Sequence, residues 1–409
     1  MEKTKHKSRR MSLNKSIPIS FRAAGMHASS IRKLSSVANE AEKKGVKVYH
    51  LNIGQPDLKT PKRFYTEVKK FAKKTLAYAP SEGYADVIGA WQEYYQKNNI
   101  LFDKEDIIVT TGGSEAIIFA LMTVADPGDE VIIFEPLYAN YITYARMASV
   151  IPVPVQTFLA DGFHLPPVEL IEKKITEKTK AIIICNPSNP TGTVYTKKEL
   201  ERIAMLAKKH NIFIIADEVY REIVFEGRAI SMMEFKKIQD RIIIVDSVSK
   251  RFNICGARIG CVASKNKSVM ENILKFAQGR LSSPTIDQLA VVPLLREPEK
   301  YSTPMVEEYK KRRDVVAKYL RKIPGVEFYL PQGALYLIAK LPIANAEYFC
   351  RWLLEEFNYN NETVMFAPAA GFYETKGAGK NEIRIAFVLE TEQLKQAMKI
   401  LKIALEEYK

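Results

Sequence analysis

Short runs of isoleucine and valine recur through the first part of the chain, and the segments between them carry apolar residues at helical spacing. The runs at 106–110, 130–134, 180–185, 212–216 and 241–245 are nearly continuous rather than alternating. A strand that is apolar at every position is buried on both faces, so these runs predict a parallel sheet with helices on either side. Helices are expected at 114–124, 138–148 and 197–210, in the gaps between strands. Ahead of them, 47–52 reads as a short strand closed by Gly54-Gln55-Pro56-Asp57. Pro61 opens a helix to about residue 74, proline being suited to a first turn, and 85–98 is an amphipathic helix.

From about Ser302 the pattern changes. A long charged helix at 303–322 precedes short strands at 326–329, 334–339, 364–366 and 383–387, and a last helix runs from Thr391. The expected fold is therefore α/β: a large domain with a mostly parallel sheet covered by helices, plus a smaller α+β domain. The expected division is a basic, disordered leader at 1–20, an N-terminal arm and part of the small domain at 21–60, the large domain at 61–300, and the C-terminal small domain at 301–409.

Composition narrows the class without changing that picture. The 409 residues are 47% hydrophobic and 26% charged, as in ordinary globular chains. No apolar run approaches the ~20 residues of a membrane span, and no charged-then-apolar signal opens the chain, so neither membrane nor export is expected. Cys185, Cys255, Cys261 and Cys350 lie in or beside apolar runs without metal-type pairing. They read as reduced thiols of a cytoplasmic protein. The net charge of +14 is partly the leader, where Lys3, Lys5, Lys7, Arg9, Arg10 and Lys15 face Glu2 alone, and Met11 is an alternative start. Basic stripes interleaved with aromatics are missing, so nucleic acid is not an expected partner.

The candidate chemistry centres on Asp246-Ser247-Val248-Ser249-Lys250-Arg251-Phe252-Asn253-Ile254-Cys255-Gly256-Ala257-Arg258-Ile259-Gly260. Lys250 follows a buried strand, and a lysine near an apolar interior tends to lose its proton and become a nucleophile for aldehydes. Arg258 offers a phosphate a fixed fork of donors and Ser247 offers a hydroxyl. Amine, arginine and serine together describe a seat for pyridoxal 5′-phosphate; the plain alternative is a solvated Ser-Lys-Arg turn. Gly112-Gly113-Ser114-Glu115 opens a helix whose N–H groups and dipole can hold a phosphate, although Gly-Gly can simply make a tight turn. Asn186-Pro187-Ser188-Asn189-Pro190-Thr191-Gly192 is more specific, because two prolines and a glycine fix a rigid turn that aims Asn189. Asp217 ends an apolar run, with Tyr220 three residues later. A carboxylate there is costly unless paired, and a protonated pyridine nitrogen would pair with it; the alternative is a helix N-cap.

In this order, Asn-Pro-x-Asn-Pro-Thr-Gly, Ala-Asp-Glu-Val-Tyr, and Ser-x-Ser-Lys with Gly-x-Arg-x-Gly resemble the class I aminotransferases of PLP-dependent fold type I, close to the aspartate aminotransferase group. The resemblance runs from about Val48 to the C-terminus. It implies that Lys250 holds the cofactor covalently and moves the substrate's α-proton, and that Asp217 pairs with the pyridine nitrogen. It further implies that Asn189 and Tyr220 bond the ring's phenolic oxygen and that Tyr138 stacks on the ring. Gly113, Ser114, Glu115, Ser247 and Arg258 would hold the phosphate, while Gly54, Asn189 and Arg384 would meet the substrate carboxylate. Tyr78 matches a tyrosine that reaches the neighbouring subunit's phosphate, which implies a homodimer with shared sites. The resemblance also places Gln278-Gly279-Arg280-Leu281-Ser282-Ser283-Pro284 near the neighbouring subunit's active site, so Arg280 is the candidate for pairing with a dicarboxylate side chain there, against a solvent-facing arginine.

Two departures from the family pattern stand out: Val87-Ile88 where relatives usually carry Leu-Arg, and Pro368-Ala369-Ala370-Gly371-Phe372 where many carry Pro-Gly before the phenylalanine. The implied activity is amino transfer between an L-amino acid, aspartate-like or aromatic and neutral, and a 2-oxo acid. A lyase or synthase on the same fold would share the cofactor contacts. A non-catalytic regulator would need a DNA-binding module, for which the segment ahead of the fold is too short.

Overall fold

The computed structural model describes residues 19–26, 29–71 and 75–408, so the leader expected at 1–20 lies outside it apart from Ile19 and Ser20. Strand β1 (Lys47–His50) is followed by the seven strands of the main sheet. These are β2 (Ile107–Thr110), β3 (Glu130–Glu135), β4 (Ile151–Gln156), β5 (Thr179–Cys185), β6 (Phe213–Asp217), β7 (Ile242–Ser247) and β8 (Gly260–Ala263). Their order is β2-β8-β7-β6-β5-β3-β4, and β8 alone runs opposite to the other six.

The isoleucine runs explain the layers. Ile242 and Ile244 of β7, Ile214 of β6 and Ile182 and Ile184 of β5 pack into one core, which also holds Trp91, Leu200 and Leu294 from covering helices. Their alternate neighbours Ile243, Val245, Ile215 and Ile183 pack into a second core on the other face, with Ile117, Tyr141 and Ile273. Successive side chains point to opposite faces, so a strand covered on both sides must be apolar throughout. Burying each such side chain is worth ~1.5–3 kcal/mol.

Two strands of the main sheet lie where none was expected. β4 reads Ile-Pro-Val-Pro-Val-Gln, and its prolines argue against a strand. It is nonetheless the edge strand beyond β3, where a missing ladder donor is tolerated. β8 is only four residues long and directly follows the Arg258 motif. The helix expected at 138–148 begins at Asn140, which leaves Tyr138 on the preceding loop. The helix expected from Pro61 to about 74 spans Lys62–Lys70, and 72–74 lie outside the described residues.

The C-terminal part holds β9 (Glu327–Phe328), β10 (Tyr336–Lys340), β11 (Glu362–Met365), β12 (Ala367–Pro368) and β13 (Glu382–Ala386). An antiparallel sheet has the order β12-β13-β10-β9, while β11 pairs with β1 in parallel and so ties the N-terminal arm to this part. The long helix begins at Glu299, earlier than expected, because Pro304 lies inside it rather than at its start. The unanticipated helix Ala346–Glu355 is capped by Asn345, whose side chain accepts from the N–H groups of Glu347 and Tyr348. A third core gathers Leu34, Tyr49, Met305, Tyr309, Leu337, Phe349, Phe366 and Leu401. No helix among the described residues is long and apolar enough to cross a membrane.

Candidate active site

The parallel strands β5, β6 and β7 deliver Asn186, Asp217 and Ser247 at their C-terminal ends, the usual ligand-binding edge of an open α/β sheet. Lys250 rides the single helical turn Val248–Arg251 immediately after β7. Ser247 caps that turn: its Oγ accepts from the Ser249 N–H at 3.2 Å and lies 3.1 Å from the Ile259 carbonyl. Lys250 Nζ donates to the Gly54 carbonyl at 2.8 Å and sits 3.7 Å from Cys255 Sγ. Gly54 must be glycine here, because a Cβ would fall 1.9 Å from Tyr336 Oη.

Arg258 has a left-handed backbone, φ 56°, which brings its guanidinium against the start of the helix Gly112–Val124. It donates to the carbonyls of Cys255 at 3.1 Å and Thr111 at 3.4 Å. A Cβ on Gly112 would stand 2.6 Å from its Nη2, and a Cβ on Gly113 would stand 3.8 Å from that of Ser247. Gly113, Ser247 and Arg258 thus converge on one helix N-terminus, where free N–H groups and the dipole favour an anion. Ser114 Oγ accepts from Tyr144 Oη at 2.8 Å, and Glu115 Oε2 accepts from the Thr111 N–H at 2.8 Å.

Asp217 is buried, and its partners are neutral. One oxygen accepts from Tyr141 Oη at 2.5 Å and the other from the Val219 N–H at 3.2 Å. Burial pushes its carboxyl up to about 6, the two donors pull it back, and buried Asp246 pushes it further up. The Val219 bond is a local turn contact, so Asp217 does cap its own turn while its other oxygen faces Tyr141. Tyr141 stands edge-on to Tyr138, with ring centroids 5.4 Å apart. Burial above all pushes the Tyr138 hydroxyl up, with Tyr144, Tyr336 and Asp217 adding to it.

Arg384 on β13 supplies the opposite charge. Its Nη1 donates to Asn189 Oδ1 at 3.1 Å and its Nη2 to the Asn52 carbonyl at 2.6 Å. The guanidinium lies between two aromatic faces, 4.4 Å from the Tyr336 ring centre and 4.8 Å from that of Phe372. Its Nε is buried without a hydrogen-bond partner. Tyr336 Oη is 2.7 Å from Tyr220 Oη and 3.3 Å from the Gly54 carbonyl, which joins Arg384 to Lys250 through one tyrosine. A buried carboxylate, a buried guanidinium with an orphaned donor, a lysine amine and an anion cradle together fit a group that carries a phosphate, an aldehyde and a basic ring nitrogen. Among the described residues no cluster of His, Cys, Asp and Glu is arranged to hold a metal.

Tyr78 and Arg280 stand differently from the rest, Tyr78 on the surface and Arg280 beside the anion cradle at Glu115. Tyr78 is 78% exposed on the chain's surface. Arg280, expected at a substrate side chain, is neither solvent-facing nor free: it is engaged by its own chain. It donates to Ser283 Oγ at 3.1 Å and to the carbonyls of Val109 at 3.1 Å and Ser81 at 3.4 Å, and pairs with Glu115 at 3.3 Å. Conversely, Asn52, Tyr141, Tyr336 and Phe372 join the cluster without having been anticipated. The three-residue spacing of Tyr141 from Tyr138 and the departure at Pro368–Phe372 offered sequence signals; Asn52 and Tyr336 lie in segments that read as ordinary strand.

The family Aminotransferase class I and II matches residues 46–401. The aspartate aminotransferase of Thermotoga maritima is 33% identical over 93% of this chain and 97% of its own length. The (5-formylfuran-3-yl)methyl phosphate transaminase of Methanocaldococcus jannaschii is 33% identical over 94% and 98%. Among solved structures, an alanine aminotransferase from Pyrococcus furiosus superposes with a TM-score of 0.87 at 32% identity, covering 95% of this chain and all of its own.

Proposed function

The chain belongs to the class I and II aminotransferases, enzymes that pass an amino group between an amino acid and a 2-oxo acid, and from that premise we propose that it carries pyridoxal 5′-phosphate on Lys250 and works as a homodimer. The observation that carries the reading is the pair Asp217 and Arg384. Each is a buried ion bonded to neutral groups, and each is therefore costly until a ligand of opposite charge arrives.

Bound pyridoxal phosphate supplies an electron-withdrawing ring that stabilises negative charge at the substrate's α-carbon. Asp217 would face the ring nitrogen, and a cation there brings the carboxyl back down and keeps that nitrogen protonated. The N–H groups of Gly113, Ser114 and Glu115 would hold the phosphate with Ser247 and Arg258. Asn189 and Tyr220 would bond the ring oxygen, with Tyr138 against the ring face. Arg384 presents its fork to the substrate carboxylate, supported by Asn189. Lys250 Nζ, parked at the Gly54 carbonyl, would take the α-proton and return it on the other side of the transfer as general base and acid. The rings of Tyr220, Tyr336 and Phe372 beside Arg384 would help to exclude water from that path. The grouping of the apolar cores supports reading 61–300 as the large domain, and 301–409 with the 21–60 arm as the small one.

Borohydride reduction of the yellow holoenzyme followed by peptide mapping tests the assignment. The pyridoxyl label is expected on Lys250, and Lys250→Ala is expected to bind the cofactor without transaminating. A label on another lysine overturns it.

A further inference from the structure

Lys250 depends on one helical turn, and a turn of four residues does not hold itself. The next residue supplies what the turn lacks. Arg251 and Asp246 are both wholly buried. Arg251 Nη2 lies 2.9 Å from each oxygen of Asp246, on the last positions of β7. Asp246 Oδ1 also accepts from the Ser247 N–H at 2.6 Å, and Oδ2 from Tyr95 Oη at 3.2 Å. The pair therefore closes a ring from the strand end to the turn end, and Ser247, Val248, Ser249 and Lys250 lie inside it.

The floor under that ring is aromatic and charged. The Arg251 guanidinium lies 4.1 Å from the Tyr94 ring centre and 5.4 Å from that of Trp91. Its Nε and Nη1 make no hydrogen bond and have these rings as neighbours. Tyr94 Oη donates to Glu222 at 2.5 Å, and a second buried pair, Arg221 with Glu218 at 3.4 Å, packs beside it. Glu218 in turn holds Ser231 Oγ at 2.7 Å and the Met232 N–H at 3.1 Å. Lys250 points the other way, to the Gly54 carbonyl.

Stability alone does not account for this arrangement. A buried ion pair loses in desolvation much of what it gains in attraction, and an apolar pair of equal volume is often as stable. What the pair supplies is geometry. We propose that Arg251 is a positioning residue: its bond to Asp246 fixes the turn that carries Lys250, so that the amine keeps one place relative to the reacting carbon. The proposal rests on the reading of Lys250 above.

The test replaces both charges at once, Asp246→Asn with Arg251→Met, so that no buried ion is left unpaired. Hydrogen exchange of the 246–253 backbone in the cofactor-free protein is expected to quicken about tenfold or more while the melting temperature stays near wild type. In the holoenzyme kcat is expected to fall by about 10–100-fold with KM little changed, because the amine is misplaced rather than the substrate. The pH midpoint of the cofactor's absorbance change is expected to move as well. Arg251→Lys, which keeps the charge and loses the planar fork, is expected to fall between, and it serves if the double variant does not fold. Unchanged exchange, kcat and absorbance midpoint in the variant that folds overturn the proposal. Borohydride labelling of the same protein separates the two readings: a label on another lysine defeats the assignment of Lys250 and leaves the exchange result standing, whereas unchanged exchange with the label on Lys250 defeats only the positioning role.

Discussion

Asp217 carries two opposite demands at once. Folding buries its carboxyl and raises it from 3.8 to about 6, so the cofactor-free protein binds a proton that the unfolded chain has already released. A folded state that holds more protons loses stability as pH rises, here between about 4 and 6. Asp217→Asn should flatten that part of the stability curve of the cofactor-free protein while lowering turnover by roughly 10²–10³-fold or more, since the ring nitrogen loses its anion. Thermal melts across that window, beside single-substrate kinetics, check both halves. A variant with intact turnover would reduce Asp217 to the cap of its own turn. Arg384 answers differently to replacement. Arg384→Lys keeps the charge but not the fork, and it is expected to cut kcat/KM by about 10–100-fold for acidic, aromatic and small amino acids alike. A loss confined to one substrate class would place the α-carboxylate elsewhere. Asp217 and Lys250 were legible in the sequence because a polar residue ending an isoleucine run has few reasons to be there. Tyr336 was not, because an aromatic beside apolar residues reads as core whether or not an arginine lies against it.

Between residue and fold, the helices owe their ends to side chains that also tie loops. Thr196 and Glu199 form a capping box at the helix Lys197–His210, and Glu199 also reaches back to the loop before 168. Burial alone would raise the Glu199 carboxyl, but His164, Thr196 and the Leu165 N–H donate to it and bring it down to about 2. The hydrogen bond to Glu199 raises His164 above its usual 6.5. Glu199, being depressed, contributes stability above about 4.5 that is lost as pH falls towards 2. His164, being raised, contributes stability below 6.5 that is lost as pH climbs through its folded value. The contact is therefore strongest between about 4.5 and 6.5. Backbone protection of the 157–167 loop, corrected for the intrinsic pH dependence of exchange, should be greatest in that window and fall on both sides, and Glu199→Gln should remove the dependence. A flat profile in the wild type would deny the link. Element by element, the sequence was most readable where burial is two-sided, as in β5 and β7. It was least readable at β4, whose prolines are tolerated by an edge, and at β8, whose four residues carry no period. The Val87-Ile88 departure proves to be ordinary packing, with both side chains inside the core of the main sheet.

At the scale of the whole molecule, the exposed Tyr78 and the engaged Arg280 belong to one arrangement. Arg280 donates to the Ser81 carbonyl, and Thr285 Oγ1 donates to the Ala77 carbonyl at 3.1 Å, so the turn after the helix Lys267–Arg280 grips the loop that carries Tyr78. Leu76, Tyr78 and Leu281 are all exposed on these two segments, where the proposed dimer would bury them. Arg280→Ala is then expected to lower kcat/KM for aspartate and alanine together, by loosening the Tyr78 loop, rather than for aspartate alone. The proposed dimer makes a sharper demand. If each site takes Lys250 from one chain and Tyr78 from its partner, Lys250→Ala and Tyr78→Ala homodimers are both impaired, each in all of its sites. A mixed dimer of the two concentrates both defects in one site and leaves the other intact. Unfolding the two variants together and refolding them at equal concentration should therefore restore about a quarter of the wild-type sites, since half the dimers are mixed and each has one good site of two. Activity that never exceeds the average of the two parents would mean that Tyr78 serves its own chain or none.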